Sequence, residues 1–293
     1  MSRGLGDVYK RQGLSQQMIF SSNQLPYKGT IMQCFDFYDE NGYIYYTQSV
    51  GDTKTGNRWM VALGRQKRNE APSDDYMKLQ WFGHGTLLVA ERADDGDYVW
   101  VNSNGTLSGT DYTNNLTFSR IRYQKGAVLS HYAGDTFYMS EYVDAAGTTW
   151  TVRDVQPSID FVNRRLLIGC RTTDMRHNVI YDLDAVLALG KETVEITRTW
   201  GGETAAEGVT EKKTETTSVE VRNLNRLTPL GSFRLPSYLN TGQTHQVYSY
   251  SHQGQAVWGD YVYWYEGQAI QQTGELYLSL IHISEPTRHA QIS

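Results

Sequence analysis

One small hydrophobic pattern recurs along the chain: a glycine-containing turn followed at once by an apolar, aromatic run. Its four clear copies are Gly42-Tyr43-Ile44-Tyr45, Gly96-Asp97-Tyr98-Val99-Trp100, Gly134-Asp135-Thr136-Phe137-Tyr138 and Gly259-Asp260-Tyr261-Val262-Tyr263. Asn41-Gly42 and Asp95-Gly96 accept the positive φ of two-residue hairpin turns, so each copy predicts a β-hairpin. A degenerate fifth copy runs from Ile159 to Ile168, with Asn163 and Arg164 in the turn. Spacings of several tens of residues suit the blade period of a β-propeller, with a β-sandwich as the competing architecture.

Only Tyr181 to Gly190 reads as a helix. An Asp caps its start, helix formers fill its middle, and Gly190 is placed to take the left-handed position after its end. From Lys191 to about Asn223 the chain is rich in Thr and Glu, and the alternation in 194–200 and 218–221 predicts two arms of a long hairpin projecting from the domain.

Composition supports β-structure with many tight turns: 21 Tyr, 8 Phe and 7 Trp accompany 27 Gly and only 6 Pro among 293 residues. A net charge of -5 disfavours a sequence-independent grip on nucleic acid, which needs clustered basic charge. No apolar run approaches the roughly 20 residues of a membrane helix, so no membrane insertion is expected. Two cysteines, Cys34 and Cys170, make neither a disulfide framework nor a zinc-site spacing and read as buried free thiols.

Both ends stand apart. Residues 1–12 and 278–293 resemble the peptides obtained when a sequencing adapter is translated at the edge of an assembled read. The expected organisation is therefore a β-propeller domain over 13–277, carrying an inserted hairpin at about 191–223, between two adapter-like segments. Without Arg3, Lys10, Arg11 and Arg288, and without Asp7 and Glu285, 23 basic residues face 30 acidic ones, a net charge of −7. On this reading both gene ends were cut off, and a signal peptide cannot be read.

Three blocks carry a family resemblance. They are Gln33-Cys34-Phe35-Asp36-Phe37 with Gly42 to Gln48; Phe82-Gly83-His84-Gly85-Thr86 through Glu91 to Tyr98-Val99-Trp100; and Gln253-Gly254 leading to Gly259-Asp260-Tyr261-Val262-Tyr263 and Gly267. Together with Ile159-Asp160 and Tyr181-Asp182-Leu183 they resemble the β-propeller of the phage P68 type of receptor-binding protein and of TagC-like proteins linked to teichoic acid. The resemblance spans most of Gln33 to Gly267. It implies an all-β, five-bladed β-propeller, here with its last blade truncated.

Five residues are candidate ligand contacts. His84 lies between two glycines at a strand start, where imidazole can face a central channel, although a turn with a satisfied histidine explains it as well. Gln33, Gln48 and Gln253 offer sugar hydroxyls both a donor and an acceptor, or tie one blade to the next. Glu91 has no second carboxylate placed beside it, so a glycosidase pair is not claimed and an ion-paired role fits better. Trp100, Tyr138 and Tyr263 occupy equivalent repeat positions and read as packing, whereas Trp200 and Trp258 are better placed for exposed stacking. No G-x-S-x-G elbow, HExxH, P-loop or GxGxxG follows a strand, so no catalytic residue, metal or cofactor is assigned.

The function these features and the resemblance imply is attachment of a phage tail to a bacterial surface polysaccharide of teichoic-acid type, by a homo-oligomeric protein of the virion. The alternatives are a secreted or cell-surface enzyme acting on glycans, and a TagC-like envelope protein.

Overall fold

Strands as rich in apolar side chains as Val99-Trp100-Val101 can bury both faces, and the sheets on either side of this strand are stacked so that it does. The computed structural model describes residues 25–28, 30, 32–38, 42–50, 60–67, 74–108, 111–172, 176–200, 204–205, 208–209, 213–234, 251–268 and 273–280. The protein is all-β: among these residues only α1 (Leu183–Ala188) and a 3-10 turn (Leu224–Arg226) are helical, and none of the several sheets closes into a barrel.

Four sheets carry the architecture. In the first, β1 (Met32–Tyr38), β2 (Tyr43–Ser49), β3 (Met60–Lys67) and β4 (Tyr76–Gln80) form an antiparallel meander, and β10 (Val128–Ser130) joins β4 in parallel. The second holds β5 (Val89–Ala93), β6 (Gly96–Ser103), β9 (Thr117–Arg122) and β11 (Asp135–Tyr138), extended by β20 (Lys213–Asn223) and β17 (Lys191–Trp200). The third takes β14 (Asp154–Asp160), β15 (Arg165–Arg171), β16 (Arg176–Asp182) and β21 (Gly231–Arg234); the fourth takes β22 (Ser251–Trp258), β23 (Tyr261–Gln268) and β24 (Thr273–Leu280). Three small hairpins complete the described strands: β7 (Thr106–Ser108) with β8 (Asp111–Asn114), β12 (Glu141–Val143) with β13 (Thr149–Thr151), and β18 (Thr204–Ala205) with β19 (Gly208–Val209).

Alternation along each strand divides the core. Val99, Val101 and Ile121 of the second sheet pack with Tyr45, Leu63 and Leu79 of the first. On the opposite face Trp100, Phe118 and Phe137 pack with Leu166, Ile168 and Tyr181 of the third. Phe118 and Phe137, directly opposed in register, stack with centroids 5.0 Å apart and planes 7° apart, and Trp100 lies 5.0 Å from Phe137. Fully burying each such side chain contributes about 1.5–3 kcal/mol, so these two clusters dominate the stability.

Side chains, rather than a shared backbone ladder, link the inner edges of successive sheets. Asp36 on β1 accepts from the Ala90 amide at 2.8 Å, and Thr47 donates to the Gly85 carbonyl at 2.5 Å. Asn102 of the second sheet donates to the Val155 carbonyl of the third at 2.8 Å. Between third and fourth sheets Gln255 donates to the Gln156 carbonyl at 2.9 Å, the Val257 amide to Ser158 at 3.2 Å and the Gly259 amide to Asp160 at 2.6 Å.

Several expectations change. The turns at Gly42, Gly96, Asn163-Arg164 and Gly259 each close the first hairpin of a sheet, but Gly134 does not close a tight hairpin. Between β9 and β11 the chain leaves to pair β10 with the first sheet, so β11 is the fourth strand of the second sheet and Tyr138 is not equivalent to Trp100 and Tyr263. Helix α1 is capped as read, Asp182 accepting from the Ala185 amide at 2.9 Å, but Gly190 does not adopt positive φ, because the chain enters β17 at Lys191 in extended form. The inserted hairpin pairs over Lys191–Trp200 and Lys213–Asn223, and its base is joined to the body by parallel pairing of β20 with β11. Strand β24 runs past residue 277 to Leu280, opposite Tyr261, since an open sheet edge pairs readily with the following chain. Residues 1–24 and 281–293 lie outside the described residues.

Candidate functional site

The first strands of all four sheets meet around one cavity of about 820 Å³. Its wall is built from β1, the segment leading into β5, β14 and β22, which contribute Gln33 and Phe35, Thr86, Gln156 and Gln255 respectively. Between these polar groups lie apolar side chains such as Ile159 and Val257. The volume falls in the usual range for small-molecule sites, which combine apolar walls with a few placed polar groups.

Each polar group is set by its strand. Gln255 spans to the third sheet through the Gln156 backbone, while the Gln156 amide reaches Thr86 Oγ1 at 3.5 Å and accepts from Arg176 Nη1 at 3.0 Å. Asp36 turns toward the second sheet, so its neighbour Phe35 occupies the other face of β1, where it is 51% exposed. An exposed phenyl ring beside amides that both donate and accept is the inventory that sugar recognition uses, ring face on ring face and amide on hydroxyl. Cys34, half-buried where the sequence reading expected a buried thiol, also lines the wall, and burial, aided by the charge of Asp36, pushes its thiol up to about 12, which disfavours the thiolate at neutral pH.

The candidates drawn from the sequence fall apart in space. Gln33 is in the wall. Gln253 lies on β22 at the register shift between His252 and Gly254, next to wall residues Gly254 and Gln255; its side chain is outside the described residues. His84 is exposed on a turn with Gly83 at φ 74° and Gly85 at φ 80°, and Thr86, two residues on, is the group that reaches the cavity. Gln48 is fully buried and ties down the segment before β1, donating to Tyr27 O and to Thr30 Oγ1, each at 2.9 Å. Glu91 is a structural anion: Trp100 Nε1 and Arg120 Nε donate to one oxygen at 2.7 Å each, and Arg120 Nη2 to the other at 2.9 Å. Trp258 is 56% exposed, and the Trp200 side chain lies outside the described residues.

Sequence reasoning missed Phe35, Thr86, Gln156 and Gln255. A signal was present, since β1, β14 and β22 each carry a glutamine, but it shows only once the first strands are aligned. Among the described residues no three His, Cys, Asp or Glu side chains cluster as metal ligands, and no helix is long and apolar enough to cross a membrane. Comparison with known protein families and with curated proteins gives no match, so the functional reading rests on the cavity itself.

Proposed function

We propose that the four sheets are successive blades of a five-bladed β-propeller whose central cavity binds a bacterial surface glycan without hydrolysing it. On this reading the chain is the receptor-binding part of a phage tail protein. The observation that carries it is the convergence of four first strands, from Gln33 to Gln255, on one cavity that combines amides with an exposed phenyl ring. First strands around a common axis are the arrangement of a propeller. The fourth sheet supports it further: Val257 and Val262, paired on one face, are buried, whereas Trp258 and Tyr261, paired on the other, are 56% and 41% exposed. On this reading a further blade would pack against that exposed face of the fourth sheet. Attachment rather than turnover is favoured because Glu91 is consumed by Trp100 and Arg120 and Asp36 by the Ala90 amide. A multimeric tail protein would turn such modest contacts into firm attachment through avidity.

The test is retention of the full chain on immobilised bacterial wall polysaccharide, with soluble polymer as competitor and reducing sugar and phosphate followed in the supernatant. Competed binding with no release of either is expected, together with at least about tenfold weaker binding of a Gln33→Ala, Phe35→Ala double variant, as loss of a hydrogen bond and a stacking contact implies. Sugar release, or undiminished binding by the double variant, overturns the reading.

A further inference from the structure

Behind the cavity wall the third sheet holds an anomaly. Gln156, Gly169 and Asn178 are directly opposed across β14, β15 and β16, so their side-chain positions share one face of the sheet. Gly169 has no side chain, and a Cβ there would run into the amide of Gln255, which therefore occupies the space over this glycine, the cross-strand neighbour of Asn178. Asn178 is fully buried, yet neither its Nδ2 nor its Oδ1 has a hydrogen-bond partner, and the buried Oε1 of Gln255 has none either. Leaving one such atom unsatisfied costs about 1–3 kcal/mol, so three within one neighbourhood mark a place that something polar completes.

We propose that Asn178, Gln255 and the bare backbone of Gly169 form a polar recess off the cavity that holds the two hydroxyls of a vicinal diol. The inference rests on the cavity being a glycan site and adds which part of the sugar is read. The recess offers two acceptors and one donor, so the ligand must supply two donors and one acceptor: one hydroxyl donates to Gln255 Oε1, and its neighbour donates to Asn178 Oδ1 while accepting from Asn178 Nδ2. A secondary amide, with one N–H and one C=O, satisfies Asn178 but leaves Gln255 Oε1 bare. A carboxylate or phosphodiester brings only acceptors against two acceptor oxygens and is rejected, and inorganic phosphate, whose P–OH donates only alongside charged oxygens that face those same acceptors, is disfavoured. Entry requires Gln255, which is only part-buried, to swing off Gly169 by a rotamer change, so this residue both gates and reads the recess. Sites built to hydrogen-bond a hydroxyl discriminate strongly against analogues that lack it.

The experiment uses ligand-observed NMR titration of the full chain with glucose, galactose, mannose, 1,2-cyclohexanediol, cyclohexanol and inorganic phosphate. The expected result is that at least one sugar and the diol bind, with cyclohexanol and phosphate at least tenfold weaker. Asn178→Leu, which replaces unsatisfied polar atoms by an apolar side chain, and Gly169→Ala, which displaces Gln255, should each abolish the preference of diol over alcohol. The melting temperature of Asn178→Leu should stay level or rise, separating lost recognition from lost folding. Gln33→Ala should weaken sugar binding and leave that preference intact. If Gln33→Ala weakens binding while Asn178→Leu keeps the preference, the recess is overturned and the glycan cavity stands. If no sugar and no diol binds the unmodified chain, both fall.

Discussion

Removal of the Asp160 carboxylate tests how the sheets are joined. Asp160 is 1% exposed and accepts four hydrogen bonds: from the Val162 and Asn163 amides at 3.0 and 2.9 Å, from Asn163 Nδ2 at 2.7 Å, and from the Gly259 amide of the fourth sheet at 2.6 Å. Burial opposes its charge, but the Asn163 backbone and side chain and the Gly259 and Val162 amides outweigh this and hold its pKa below the ordinary 3.8. Charge-assisted bonds are worth about 1.5–3 kcal/mol when desolvated, which applies to Gly259, and roughly 0.5–1 where water can replace them, as at the exposed turn. Asp160→Ala should therefore cost about 3–6 kcal/mol, or on the order of 10–15 °C in Tm at 2–4 °C per kcal/mol. Asp160→Asn should cost about 2 kcal/mol, since its amide nitrogen turns a donor toward donors. Because the folded pKa is depressed, the carboxylate's contribution is complete above 3.8 and is lost as the pH falls through the lower folded value. Urea unfolding followed by circular dichroism at pH 7 and at acid pH measures both effects. A loss below 1 kcal/mol at pH 7, or a wild-type to Asn difference that fails to narrow in acid, would refute the account.

Three further outcomes follow. Glu91→Gln leaves the Arg120 guanidinium, 3.6 Å over the Tyr98 ring, without its anion and should lower stability by about 2 kcal/mol in chemical denaturation while glycan binding persists. Gly64→Ala drives a methyl group into the fully buried Tyr46 ring and should cost about 1–3 kcal/mol or more; an unchanged Tm would mean that Tyr46 is elsewhere. Burial, then the nearby Arg198 charge, lowers the His131 pKa from 6.5 despite an opposing pull from Glu215, so the folded state resists protonation there. Stability should accordingly rise with pH up to about 6.5, and His131→Gln should flatten that slope in melts at pH 5 to 7.

Local turn chemistry made the hairpins legible. At Gly42, Gly96 and Gly259 the backbone does adopt positive φ, as does Arg164 in the degenerate copy, so reading those positions found the first two strands of each of the four main sheets. Gly134 also has positive φ, but its reason is tertiary: a Cβ would strike the Arg120 carbonyl as the chain returns from β10, and nothing local separates that constraint from a tight turn. The cavity was half visible. Gln33 was found as an amide within a resemblance block, although its strand shifts register between Met32 and Cys34 just as β22 does at Gln253; nothing in the sequence tells that on β22 it is Gln255 that lines the wall, and Gly169 reads as any strand glycine until the Gln255 amide is seen resting on it. Paired glycines drew attention to His84, but the same two φ angles that bend the chain aim that residue at solvent.

The links from Gln156, Ser158 and Asp160 to Gln255, Val257 and Gly259 each span 99 positions, so β14 and β22 advance in step and in the same direction. A constant offset works like the teeth of two racks. Outside the 161–164 turn and the paired strands, residues added or lost between Asp160 and Gln255 would change the offset from 99 but leave the mesh untouched. One residue gained inside 156–160 or 255–259 disengages part of the rack and, by period-two alternation, turns the following side chains to the opposite face. Length variation among relatives of this chain should therefore collect outside these two five-residue windows.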